Sequence, residues 1–399
     1  MIPWFFEFLH RYTSIKIPAV FSYVSTQMIF SALTALLFTI WGGKRFIRFF
    51  AKKKFSQPIR SDASQLLTRL HKEKKNTPTM GGLLILSAIL ISALLWMNLR
   101  HFFTYLFLFV TIAVGLLGAI DDFLKLKFKN SHGLSARKKI IAQCAVAAFV
   151  SMILLHPAIT NWMGNYVEMP IVKDRQTHRE YTLSEYQRQY YFPFCKKCIF
   201  RLPSHFVWLA MLGLIFVFTG SSNAVNLTDG LDGLAAGLIF FAAVVFGFIA
   251  FLSSNVEIAS YLQIIFISGS GQIAIFLSGL CGGCLGFLWY NSYPAQIFMG
   301  DVGSLTLGAL LGLSAILLRR ELLLALVGGL FVIEAVSVIL QVLSYRYRGK
   351  KRVFLCSPLH HHFEYQGIPE TKVVLRFWII GIILALIGPV SYTHLRAHE

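Results

Sequence analysis

Ten apolar runs divide this chain, at about residues 21–42, 81–97, 103–120, 140–156, 206–222, 234–252, 271–290, 303–318, 322–344 and 373–390. Each is long enough to cross the roughly 30 Å hydrocarbon core of a bilayer. A backbone in hydrocarbon must satisfy its own hydrogen bonds, so such runs fold as helices. Composition agrees: 56% of the 399 residues are hydrophobic and 14% are charged, and the mean hydropathy is +0.64, beyond what a soluble core requires. The expected fold class is an all-α polytopic membrane protein of ten transmembrane helices, forming one integral-membrane domain over residues 1–390.

The net charge of +19 is concentrated in the connections. Lys44, Arg45, Arg48, Lys52, Lys53 and Lys54 follow the first run, whereas only Arg11 and Lys16 precede it. Cytoplasmic loops carry the excess of Lys and Arg, which puts residues 44–80 in the cytoplasm and the N-terminus outside. Lys125, Lys127, Lys129 and Arg137–Lys139 after the third run agree, as do Arg346, Arg348, Lys350, Lys351 and Arg352 after the ninth. The expected cytoplasmic loops are about 43–80, 121–139, 223–233, 291–302 and 345–372. A long loop at about 157–205 and both termini are expected outside. Because the basic residues lie in short loops between apolar runs, nucleic acid is a poor candidate partner and the lipid bilayer a good one.

Five carboxylates stand against the ends of these runs: Asp121 and Asp122 after the third, Asp229 and Asp232 after the fifth, and Asp301 after the seventh. Odd-numbered runs all end in the cytoplasm, so all five acids face one compartment. Acids beside hydrocarbon are costly and mark function by default. The same count brings residues 74–82 (KKNTPTMGG) and His360, His361 and His362 to that face.

Locally, several readings stay open. Polar residues recur at Asn223, Asn226, Asp229 and Asp232, a spacing that would stack them on one side of a helical turn. Asp301 suits either a cation ligand or a helix N-cap. Asp121 and Asp122 either mark the water boundary or work, although acids oppose the macrodipole at a helix C-terminus. The histidines suit metal, phosphate or solvent. Carboxylates with few soft ligands favour a hard ion such as Mg²⁺, the equipment of phosphoryl transfer.

Five motifs in order carry a resemblance: TPTMGG at 77–82, Asp121-Asp122, NAVNLTDGLDGLA at 223–235, NSYPAQIFMGDVGSL at 291–305 and PLHHHFE at 358–364. Together they resemble the phospho-N-acetylmuramoyl-pentapeptide transferases, within the polyprenyl-phosphate N-acetylhexosamine-1-phosphate transferase superfamily. The resemblance spans about residues 20–390. It implies Mg²⁺-dependent transfer from UDP-MurNAc-pentapeptide to undecaprenyl phosphate in the bacterial inner membrane, giving lipid I and UMP. Asp301 would be the Mg²⁺ ligand, Asp121 would hold or deprotonate the lipid phosphate, and Asp122 would support metal or phosphate positioning. Asn226, Asp229, Asp232, Asn291 and Phe298 would contact the nucleoside, with Phe298 stacked on uracil. Lys74, Thr79 and Lys125 would line the same pocket, and His360, His361 and His362 would face the sugar-phosphate or peptide. A sister transferase using UDP-N-acetylglucosamine is the nearest alternative, expected to carry a different histidine motif. A cation-coupled transporter, which would place acids near the midplane, is the alternative from another class.

Other features lie outside that pattern. Asn76 stands where the family usually has glycine. Cys195 and Cys198 occupy the long outer loop as half a zinc site or an oxidisable pair, while Cys281 and Cys284 read as packing residues. The Gly279/Gly283 and Gly308/Gly312 spacings permit close helix contact or a homodimer. Residues 391–399 match nothing expected of the family and are left unassigned. Glu334, deep in the ninth run, is a carboxylate without an assigned partner.

Overall fold

The computed structural model describes residue 2 and residues 19–52, 77–128, 133–174, 179–195 and 198–393. The long helices are α1 (Val24–Lys52), α2 (Gly82–Trp96), α3 (Phe102–Phe128), α4 (Ala136–Leu155), α5 (Val207–Thr228), α6 (Leu234–Ser254), α7 (Ser270–Asn291) and α8 (Gly300–Leu317). After α8 come α9 (Glu321–Val327), α10 (Gly329–Tyr347), α11 (Leu359–Tyr365) and α12 (Glu370–Thr393). Among the described residues, nine helices are long and apolar enough to cross a membrane, and α2 is a shorter apolar helix of 15 residues. The chain is thus a mostly helical polytopic membrane protein.

Several expected boundaries move. The ninth run is two helices, α9 and α10, broken at Gly328. Helix α3 continues past the third run to Phe128, so Asp121 and Asp122 lie within a helix rather than in a loop over 121–139. Helix α5 likewise runs to Thr228, leaving Asn223 and Asn226 on the helix and Asp229 and Asp232 in the turn beyond it. Helix α12 extends through Thr393, and the remainder of the unassigned tail lies outside the described residues, as does Asn76.

Packing follows the logic of helices in lipid, where small residues let backbones approach. On α1 the buried stripe is Gln27, Ser31, Ala35, Thr39 and Gly43, small or polar at every fourth position, while Ile29, Leu33, Leu37 and Trp41 face outward. This stripe lies on α7: Ser31 Oγ donates to the Ile275 carbonyl at 2.8 Å, and a Cβ on Gly282 would stand 2.0 Å from the Ala32 carbonyl. Gly279 and Gly283 approach α1 and α2, and Gly308 and Gly312 approach α5, so these glycines serve packing within the chain. Cys281 and Cys284 are buried in α7 as packing residues. Helix α8, buried almost all round, packs against both α3 and α5.

At the end of α8 away from Gly300, the long connection between α4 and α5 forms a small cap. Strands β1 (Val172–Asp174) and β2 (Arg179–Tyr181) pair antiparallel, and β1 pairs again with β5 (Phe266–Ile267), which lies between α6 and α7; β3 (Gln189–Tyr190) pairs with β4 (Phe200–Arg201). The Tyr186 hydroxyl donates to the Leu318 carbonyl at 2.9 Å, and Arg319 Nε donates to the Gln189 carbonyl at 2.7 Å. Arg319 is fully buried, stacks over Tyr190 and pairs with Glu321. Cys195 and Cys198 are exposed free thiols.

Candidate active site

The site is assembled where α3, α5 and α8 converge with the extended segment leading into α2. The first amides of a helix lack partners within it. In α8 one is satisfied from another helix: Asp122 Oδ2 accepts from the Val302 N–H at 3.2 Å. Gly300 permits the approach, since its φ is +73° and a Cβ there would sit 2.5 Å from Asp122 Oδ2. Asp301 is thereby held beside the α3 pair. It occupies the first turn of α8, with Met299 at the cap position, so it does not act as its own N-cap.

Ligand oxygens of Asp121, Asp122 and Asp301 lie within 4.8 Å of one another. Two unit charges at about 4 Å repel by about 4 kcal/mol at an effective dielectric near 20, so the cluster requires cations. Lys125 Nζ lies 2.7 Å from Asp121 Oδ2, 3.0 Å from Asp301 Oδ2 and 3.6 Å from Asp122 Oδ1. Lys139 Nζ reaches the same oxygens of Asp121 and Asp301 at 3.2 and 3.0 Å. Asp121 Oδ1 accepts from the Leu134 N–H at 2.6 Å, and Asn226 Nδ2 donates to Asp301 Oδ1 at 3.1 Å and to Ser304 Oγ at 2.8 Å. Three carboxylates against two ammonium groups leave an excess negative charge. Asp122 Oδ1 and Thr79 Oγ1 are buried there without a hydrogen bond. An all-oxygen donor set with surplus negative charge and orphaned acceptors fits a hard divalent cation.

A second cluster adjoins the first. Segment 77–82 is stitched to 295–299: Phe298 N–H donates to the Pro78 carbonyl at 2.9 Å, and the Gly81 and Gly82 amides donate to the Phe298 and Met299 carbonyls at 2.8 Å. Asp232 Oδ2 accepts from Ala295 N–H at 2.9 Å, and Asn291 bridges the Gly233 amide (3.0 Å) and the Ile297 carbonyl (2.8 Å). These two polar side chains therefore fasten the loops that surround Phe298, which is half-buried. Burial, reinforced by the charges of Asp301, Asp122 and Asp232, pushes the Asp229 carboxyl up to about 8.

Helical geometry separates the three histidines. His360 is fully buried against Gly230; His361 Nδ1 shares a 2.6 Å hydrogen bond with Glu364. His362 Nδ1 accepts from the Leu355 amide at 3.1 Å. The expected stack from Asn223 to Asp232 also divides, because Asn223 Nδ2 turns to Gln143 Oε1 at 2.8 Å while Asn226 turns to Asp301. Lys74 lies outside the described residues. Sequence reasoning missed Lys139, counted only as a topological charge. No sequence signal separates it from Arg137 and Lys138; in the structure those two are exposed, whereas Lys139, one turn into α4, is half-buried.

Comparison with known proteins adds two family models and several relatives. The model described as glycosyl transferase family 4 matches residues 104–319, more than half of the chain. The model described as phospho-N-acetylmuramoyl-pentapeptide-transferase signature 1 matches residues 74–86. A phospho-N-acetylmuramoyl-pentapeptide-transferase of Protochlamydia amoebophila is 50% identical over 406 aligned positions, covering 98% of this chain and 99% of the relative. Proteins of the same name from Thermodesulfovibrio yellowstonii and Desulfotalea psychrophila are 42% and 44% identical, each covering 92% of this chain and 93% of the relative.

Proposed function

This chain belongs to the phospho-N-acetylmuramoyl-pentapeptide transferase family, and from that membership we propose that it transfers phospho-MurNAc-pentapeptide from UDP-MurNAc-pentapeptide to undecaprenyl phosphate, yielding lipid I and UMP. The observation that carries this to particular residues is the convergence of Asp121, Asp122 and Asp301 around Lys125 and Lys139. Two anionic reactants repel each other, so the protein's work is to gather and align them.

In this reading Asp301 would hold Mg²⁺, with Asp122 and Asp121 beside it close enough to share the ion. When bound, the ion supplies neutralisation of the donor diphosphate. Lys125 and Lys139, oriented by Asp121, hold the acceptor phosphate. Its oxygen attacks the phosphorus bearing the sugar, the pyrophosphate bond to the uridine side breaks, and UMP leaves with that bond's electron pair. The acceptor is already an anionic nucleophile, which favours direct attack over an aspartyl-phosphate intermediate. Asn226, Asp229, Asp232, Asn291 and Phe298 form the nucleoside side with Thr79 and Lys74, Phe298 offering its ring to uracil. His360, His361 and His362 serve the sugar-phosphate or peptide.

The same reading counts α2 as the second span and joins α9 to α10 as the ninth, giving ten. Both termini then lie outside the inner membrane, and the site faces the cytoplasm, where a soluble nucleotide meets a lipid held in the bilayer. Family membership speaks against the sister transferase and the transporter. The deciding experiment offers purified protein, undecaprenyl phosphate and Mg²⁺ either UDP-MurNAc-pentapeptide or UDP-N-acetylglucosamine. UMP and lipid I are expected with the first donor alone, and turnover only with the second would overturn the assignment.

A further inference from the structure

Helix α10 is largely lipid-facing: Val332, Ile333, Val336, Ile339, Leu340 and Leu343 are exposed, and its buried residues are Leu330, Phe331, Glu334, Ser337 and Ser344. A carboxylate on that inner stripe is costly unless its oxygens are satisfied. Glu334, fully buried, satisfies them on a different element. Its Oε2 accepts from the Leu359 N–H at 2.7 Å and its Oε1 from the His360 N–H at 3.1 Å. These are opening amides of α11, which would otherwise lack partners. A charged acceptor on amide donors is stronger than a neutral one.

The bond fixes more than a helix start. His360 Nδ1 stands 3.3 Å from Glu334 Oε1, and a Cβ added to Gly230 would lie 2.2 Å from His360 Nε2. The imidazole is therefore wedged between Glu334 and the turn carrying Asp229 and Asp232. Neither ring nitrogen makes a hydrogen bond, and the ring is fully buried. His361 and His362 are fixed separately, through Glu364 and the Leu355 amide.

We infer that Glu334 is a positioning residue for the donor side of the site: by clamping the start of α11, it sets His360 against the Asp229–Asp232 turn and leaves the lipid-phosphate side untouched. This rests on the reading of His360 as a donor contact. Among the described residues, no hydrogen bond or ion pair joins Glu334 or His360 to Asp121, Lys125 or Lys139, so its effect separates by substrate.

The test uses full-length protein and steady-state kinetics with UDP-MurNAc-pentapeptide and undecaprenyl phosphate varied separately. Glu334→Gln puts an amide donor where an N–H must be accepted; it is expected to raise the donor KM by about ten-fold or more and to leave the lipid KM within about two-fold. Glu334→Asp should recover part of the loss. Combined with His360→Ala, Glu334→Gln should add little, because the two act through one contact. An unchanged donor KM, equal rises in both KM values, or full additivity with His360→Ala would each overturn the inference. If Glu334→Gln does not fold, Leu359→Pro removes one of the two amides at a helix position that tolerates proline and is held to the same outcomes. Wild-type protein that fails to turn over this donor would sink the functional reading, whereas normal wild-type turnover with an unaffected Glu334→Gln donor KM would sink only the role of Glu334.

Discussion

Lys139 Nζ lies 3.2 Å from Asp121 and 3.0 Å from Asp301. Lys139→Gln should leave both less compensated and lower stability by about 1–2 kcal/mol. Thermal unfolding in EDTA is therefore expected at lower temperature than for wild type, with Mg²⁺ restoring more of the variant's loss than it adds to wild type. Equal unfolding temperatures in EDTA would remove Lys139 from the cluster's charge balance. The acids were legible in the sequence because a carboxylate beside hydrocarbon is conspicuous; Lys139 was not, because its meaning depends on Asp301, 162 positions away. Asp229 gives a pH test. Its folded pKa of about 8 exceeds the unfolded carboxylate value near 4, so the folded state binds more protons between those limits and stability falls as pH rises through them. Asp229→Asn should therefore be more stable than wild type by a margin that grows from about pH 5 to pH 8, while turnover declines; a margin that shrinks over that interval contradicts the assignment.

At the scale of elements, nine described helices are long and apolar enough to span, the second run is a shorter helix and the ninth is two, and the helix ends required tertiary information. The apolar pattern stops before the helices do: α3 continues to Phe128 and α5 to Thr228, and Asp122 and Asn226 near those ends bond to α8. The break in the ninth run at Gly328 was also hidden, since Gly328 and Gly329 are permissive without being diagnostic. Glycines separate into those that a neighbour requires and those it does not. A Cβ on Gly82 would lie 2.1 Å from the Gly303 amide nitrogen, while nothing lies within 4 Å of one on Gly220. Gly82→Ala should force α2 from α8 and cost both fold and turnover. Gly220→Ala, in the interior of α5, should be neutral or stabilise by up to about 1 kcal/mol. Comparable unfolding temperatures for the two variants would contradict the close crossing.

For the whole molecule, the two ends of the bundle differ in kind. One gathers the carboxylates, lysines and histidines; the other carries a β-containing cap clasped to the end of α8 through Tyr186 and Arg319. The cap's existence as a long loop was legible, but its strands were too short to announce themselves, and β5 comes from between α6 and α7. Single cysteines introduced at Lys350 and Arg179, with the native thiols replaced, should label from opposite sides in oriented vesicles; labelling from one side would overturn the topology. Transfer at the Asp121, Asp122 and Asp301 cluster is read out by the rate of UMP release from UDP-MurNAc-pentapeptide and undecaprenyl phosphate. Wild type should release UMP in a Mg²⁺-dependent way, and folded Asp301→Asn should lose at least about a thousand-fold of that rate. Near-normal release by that variant would place the transfer elsewhere in the molecule.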